Sequence, residues 1–140
     1  MDPESRRLLP DEKLNDEGTD SEMLIKLMKA KIHRARVTQS DLHYEGSIGV
    51  DEELLEASGI LPFEAVHVWN INSGTRFETY ALPLKRGSGE ICVNGAAARL
   101  TQVGDQVIIA SFCWMDGKAA RDFQPTVILV SEENRPKRKA

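Results

Sequence analysis

From Leu24 onward the chain alternates: Met28, Ala30 and Ile32 take every second position, with Lys29, Lys31 and His33 between them. A period of two marks a strand with one buried face, and it places Lys31 and His33 together on the opposite face. Residues 37–42 read as a second short strand or a turn. Asp51 then opens a short helix. Its carboxylate is a good N-cap, Glu52 and Glu53 suit the first turn, Gly59 can close the end, and Pro62 stops any continuation. Residues 65–71 and 75–82 form a hairpin around Asn72-Ser73-Gly74, with Arg76, Glu78 and Tyr80 on one face of the return strand and Thr79 on the other. A Gly-rich turn at 85–90 leads to a short strand at 91–93, which ends in a tight turn of small residues, Asn94-Gly95-Ala96-Ala97. After a turn at Val103-Gly104-Asp105, residues 106–114 and 125–130 are two apolar strands. Many short strands, regular turns and one or two short helices predict a mainly β fold, a small closed β-barrel.

Residues 1–22 are polar and acidic and read as a disordered extension, with Met23 as a candidate natural start. Residues 23–130 carry the folded domain, and 131–140 read as a basic flexible tail. The 140-residue chain suits one domain with a small core, so a site built between subunits is easier to form than a deep site within one copy. The net charge of −4 is uneven: the first 22 residues hold eight acids and three bases, the last ten hold two acids and four bases, and the body is left near −1. Such a body lacks the basic face that a nucleic-acid groove needs. The N-terminus has no apolar signal core and no apolar run is long enough to span a bilayer, which points to the cytoplasm and away from membranes. The two cysteines, Cys92 and Cys113, are isolated in apolar runs and read as buried free thiols.

Common catalytic templates are missing. There is no GxxxxGK[ST] or GxGxxG, and Glu45-Gly46-Ser47-Ile48-Gly49 has glutamate where a nucleophile elbow needs glycine. The histidines His33, His43 and His67 have no metal-ligand spacing, so no metal site is expected. Gly46-Ser47 alone means little, since Gly87-Ser88 repeats it in an ordinary turn. Its surroundings differ: Asp41-Leu42-His43-Tyr44-Glu45 precedes it, and Thr75-Arg76-Phe77-Glu78-Thr79-Tyr80 and Asn94-Gly95-Ala96-Ala97 follow.

That combination resembles the aspartate 1-decarboxylase family, the pyruvoyl enzymes that make β-alanine for pantothenate. The likeness runs from Met23 to Val130 through Lys31-Ile32-His33-Arg34, Tyr44-Glu45-Gly46-Ser47, Trp69-Asn70, Arg76, Thr79-Tyr80 and Asn94-Gly95-Ala96-Ala97. The resemblance implies a double-psi β-barrel, a homotetramer with sites between subunits, and self-cleavage between Gly46 and Ser47. Ser47 would become the covalent pyruvoyl cofactor, with neither metal nor pyridoxal phosphate required. L-Aspartate is the implied substrate. Thr79 would support the oxyanion of the cut, Asn94 and Tyr44 would orient the cleavage site, and Tyr80 would return a proton in turnover. Arg76, with its planar fork, and Lys31, supplied by a neighbouring subunit, would meet the substrate carboxylates. Gly95, Ala96 and Ala97 would offer backbone N–H groups, and His33 stands as a supporting residue. A role for a maturation factor is left open.

Taken one by one these residues also fit plainer roles: Arg76 and Tyr80 an exposed cross-strand face, Lys31 a solvated lysine, Thr79 a strand filler and Asn94-Gly95 a hairpin turn. Two alternatives to the decarboxylase stand at this point: a barrel that keeps the fold without processing, and a serine hydrolase pairing Ser47 with His43 or His33.

Overall fold

The computed structural model describes residues 23–139; the acidic extension, 1–22, lies outside them. The elements run β1 (Leu24–Arg36), β2 (Gln39–Asp41), β3 (Ser47–Asp51), α1 (Glu52–Ser58), β4 (Ala65–Asn70), β5 (Arg76–Leu84), β6 (Ile91–Asn94), a 3-10 turn (Gly95–Leu100), β7 (Gln106–Asp116), α2 (Gly117–Asp122), β8 (Thr126–Val130) and β9 (Pro136–Lys139). Hydrogen-bonded neighbours follow the order β2-β6-β3-β5-β4-β7-β1-β8-β9. Parallel pairs (β1 with β8, β2 with β6, β3 with β5) mix with antiparallel ones (β3 with β6, β4 with β5). This mainly β architecture with few short helices agrees with the small-barrel class.

The described chain divides into two compact units, one of residues 23–27 with Cys113–Gln124 and the other of Met28–Phe112 with residues 125–139. In the first, Asp116 caps α2 by accepting from the Ala119 N–H at 2.8 Å. The second holds the core. Ala30, Ile32, Val37, Ile48, Val50, Leu54, Val66, Val68, Ile91, Val93, Val107 and Ile109 are all buried there. The alternation read in β1 is real: Ala30 and Ile32 face this core and pair with Thr126 and Ile128 of β8.

The helix after Asp51 forms as expected, with Gly59 left-handed at its C-terminus. Asp51 does more than cap. Its buried carboxylate accepts from the N–H groups of Glu53 (2.9 Å), Gly87 (2.9 Å) and Gly89 (2.8 Å), so it ties α1 to the Gly-rich turn. Burial pushes its pKa up, but the N–H bonds from Gly89, Glu53 and Gly87 and the charge of Arg135 outweigh this, and the net value is lowered. A carboxylate with a lowered folded pKa contributes stability above its unfolded value near 4 and loses it as pH falls toward the folded value. Asp51→Ala is expected to cost about 3 kcal/mol at pH 7 by leaving buried donors unpaired. In urea titrations the gap between wild type and Asp51→Asn should shrink below about pH 4. A gap unchanged with pH would refute the assignment.

Two local expectations are corrected and two features are added. Residues 131–139 are not a free tail, for β9 pairs antiparallel with β8. The cause is Asn134, left-handed and buried, whose side chain accepts from the Arg36 N–H (2.7 Å) and donates to the carbonyls of Arg36 and Gly89 (both 2.8 Å). Residues 47–51 form a strand the pattern hides, because all five are buried and no alternation marks them. The small-residue turn after Asn94 continues as a 3-10 turn to Leu100. Cys113 is only half-buried, while Cys92 is buried; both are free.

Candidate active site

Three separate segments meet at Ser47. It is the first residue of β3 and 1% exposed, whereas Gly46 before it is exposed and has open space where a side chain would stand. On one side β3 runs antiparallel to β6, with Ser47 opposite Asn94, whose Nδ2 donates to the Ser47 Oγ at 3.0 Å. On the other side β3 runs parallel to β5, with Ile48 level with Ala81. One residue earlier on each strand stand Ser47 and Tyr80, so the register sets Thr79-Tyr80 beside the serine. Thr79 lies opposite Val66, which is fully buried, while Tyr80 shares the outer face with Arg76 and Glu78 and stacks on Phe63 at 6.4 Å.

Gly95 explains how the loop before Ser47 lies so close to β6. Its φ of +71° is a left-handed conformation, and a Cβ there would meet Gly46 Cα and N at 2.8 Å and the Tyr44 carbonyl oxygen at 3.0 Å. Only a residue without a side chain lets the two backbones touch. Tyr44 itself is 63% exposed, and with Asp41, Glu90, Cys92 and Asn94 it lines a cavity of about 350 Å³. Ala96 is exposed and Ala97 half-buried at the start of the 3-10 turn.

The cationic candidates lie elsewhere on the chain. Arg76 stands four residues before Tyr80, about 13 Å along an extended strand. Its guanidinium lies 4.6 Å from the centre of the Trp69 ring. Lys31 and His33 lie on the face of β1 away from Ala30 and Ile32. The Nδ1 of His33 is buried with no hydrogen-bond partner among the described residues. Burial, then the charges of Lys31 and Arg34, lowers the His33 pKa, so the ring is neutral near pH 7. The hydrolase alternative needs a base on Ser47. Among the described residues the recorded partner of Ser47 Oγ is Asn94, and His43 is an exposed residue whose backbone N–H donates to Asp41.

One residue at the site was read only as core. Cys92 lies two residues before Asn94 on β6, and its Sγ donates to Asn94 Oδ1 at 3.0 Å. Period two along a strand puts both side chains on one face, so the signal was there, but an apolar run masks it. Burial, then the charges of Asp41 and Glu90, raises the Cys92 pKa and keeps the thiol protonated.

Comparison with known proteins now adds an independent line. A family model described as aspartate decarboxylase matches residues 23–137. A protein of Hyphomonas neptunium named aspartate 1-decarboxylase is 56% identical over 116 residues, 83% of this chain and 98% of that relative. One of Carboxydothermus hydrogenoformans with the same name is 58% identical over 113 residues, 81% of this chain and 89% of the relative. One of Phenylobacterium zucineum, also so named, is 56% identical over 118 residues, 84% of this chain and all of the relative. The family model and the relatives' shared name place the chain among enzymes of the decarboxylase class. More narrowly, the chain belongs to the aspartate decarboxylase family.

Proposed function

We propose that this chain cuts itself between Gly46 and Ser47 and uses the resulting pyruvoyl group to convert L-aspartate to β-alanine and CO2, in the cytoplasm and for pantothenate synthesis. The observation that carries the reading is the buried Ser47 hydroxyl, held by the Asn94 amide immediately after the exposed Gly46. The Ser47 Oγ attacks the Gly46 carbonyl carbon, its proton passes to the Ser47 nitrogen, and the amide becomes an ester with a free amine. The Thr79 hydroxyl supports the oxyanion formed on the way. Loss of the Ser47 Cα proton expels the Gly46 carboxylate, and the dehydroalanine left behind takes up water and releases ammonia to give the ketone. Burial of Ser47 and the absence of a side chain at Gly46 both fit this conversion. The pyruvoyl group supplies a carbonyl for the aspartate amine and an electron sink for loss of its α-carboxylate.

In turnover Tyr80 delivers a proton to the substrate carbon. Arg76 and Lys31 hold carboxylates, and the N–H groups of Gly95, Ala96 and Ala97 receive one at close range. Tyr44 borders the pocket, and His33 stands as a supporting residue on the same face of β1 as Lys31. A chain of this size completes a deep site more easily between copies, which fits a homotetramer with sites between subunits.

Denaturing mass spectrometry of the purified protein tests the reading. Two species are expected, residues 1–46 and 47–140, the second without a free amino terminus. A chain still intact after prolonged warming would refute it. Tyr80→Phe should cleave normally yet lose about 100-fold or more in decarboxylation, because the proton donor serves only the second reaction. β-Alanine formation at the wild-type rate would remove Tyr80 from that role.

A further inference from the structure

Asn94 holds the nucleophile through an amide whose two ends can exchange places. A buried amide keeps one orientation only if its surroundings can tell the oxygen from the nitrogen. Ser47 cannot do this, since a hydroxyl both donates and accepts. The discrimination has to come from the other side of Asn94, where Cys92 lies.

We infer that Cys92 is a positioning residue for self-cleavage: its thiol fixes the Asn94 amide with Nδ2 toward Ser47. The inference rests on the cleavage reading above. Three observations carry it. The Cys92 Sγ to Asn94 Oδ1 distance is 3.0 Å and the Asn94 Nδ2 to Ser47 Oγ distance is 3.0 Å, so the three side chains form one chain of donors from thiol to amide to hydroxyl. All three residues are buried, so water does not compete freely for these bonds. The thiol donates to Oδ1 in the observed orientation, whereas the flipped amide would set its NH2 against sulfur, a weak acceptor. The raised pKa of Cys92 keeps the donor proton in place.

The chemical consequence is specific. With Nδ2 toward Ser47, the amide donates to Oγ and supports the charge that grows there as the hydroxyl proton leaves. With the amide reversed, Oδ1 would face that oxygen and oppose the charge. Cys92 acts through Asn94, to whose Oδ1 its thiol donates.

The test follows cleavage of the full chain over time. Wild type, Cys92→Ala, Cys92→Val and Cys92→Ser are made in a cell-free reaction and sampled by denaturing mass spectrometry, with thermal unfolding of each precursor measured alongside. Cys92→Ala and Cys92→Val, which lack a donor, should cleave about 5- to 10-fold more slowly, the value of one neutral hydrogen bond. Cys92→Ser supplies a hydroxyl that donates to Oδ1 but can also accept from a flipped NH2, so it should cleave faster than alanine and more slowly than wild type. A purely packing role would favour valine over serine and would track the unfolding temperature. Donor-free variants as fast as wild type, or serine as slow as alanine, would overturn the inference while leaving the cleavage reading intact. A wild-type chain that never cleaves would overturn both.

Discussion

Ser47→Ala is expected to yield a single uncut chain of 140 residues that releases no CO2 from aspartate. Alanine has no oxygen to attack Gly46 and none to leave in the elimination, so both the cut and the cofactor are lost at one atom. The fold should survive. The change removes an acceptor from the buried Asn94 Nδ2, which costs about 1–3 kcal/mol, short of the stability of a typical domain. The loss is therefore chemical and should persist in a protein that still unfolds cooperatively. Mass spectrometry and β-alanine assays check this together. Fragments ending at Gly46 would show that another residue supplies the nucleophile.

Gly95→Ala should nearly abolish cleavage although Gly95 takes no part in bond making. An added Cβ would press on the backbone of Gly46 and Tyr44 rather than on the tip of a movable side chain. The scissile loop must give way, and a displacement near 1 Å at a reacting centre costs about 100-fold in rate. Left-handed strain adds about 1–2 kcal/mol of instability. Gly74→Ala separates the two effects. Gly74 has a φ of +78° and open space around it, so it carries the strain without the clash. Gly74→Ala should lose similar stability and still cleave at the wild-type rate; equal cleavage rates in the two variants would refute the steric account.

These predictions draw unequally on what could be read from the sequence. Local features were legible. The Asp51 cap, the Gly59 terminus and the hairpin at Gly74 follow from residue chemistry within one turn of the chain. Elements without a period were not. Residues 47–51 carry no alternation because the strand is buried on both faces, and β9 is held by Asn134, whose partners lie 98 and 45 residues away. The candidate site residues came from motifs that resemble a family, and their geometry was not legible. That Tyr80 stands beside Ser47 depends on a parallel register between β3 and β5, and no local pattern encodes register between distant strands. Gly95 was read as an N–H donor to substrate, and its contact with Gly46 depends on the same long-range pairing.

If the chain is cut between Gly46 and Ser47 as proposed, the parallel pairing of β1 with β8 has a consequence for the lifetime of the product. Ala30 and Ile32 are core residues on the amino-terminal side of Ser47, while Thr126 and Ile128 lie on the other side. Before cleavage these strands belong to one molecule and find each other at a fixed effective concentration. Afterwards they belong to two, and reassembly becomes a second-order reaction that dilution slows. The native arrangement would then be a product of history, reached as a single chain and kept only while the two parts stay together. Denaturation of the cut protein would be a separation into parts.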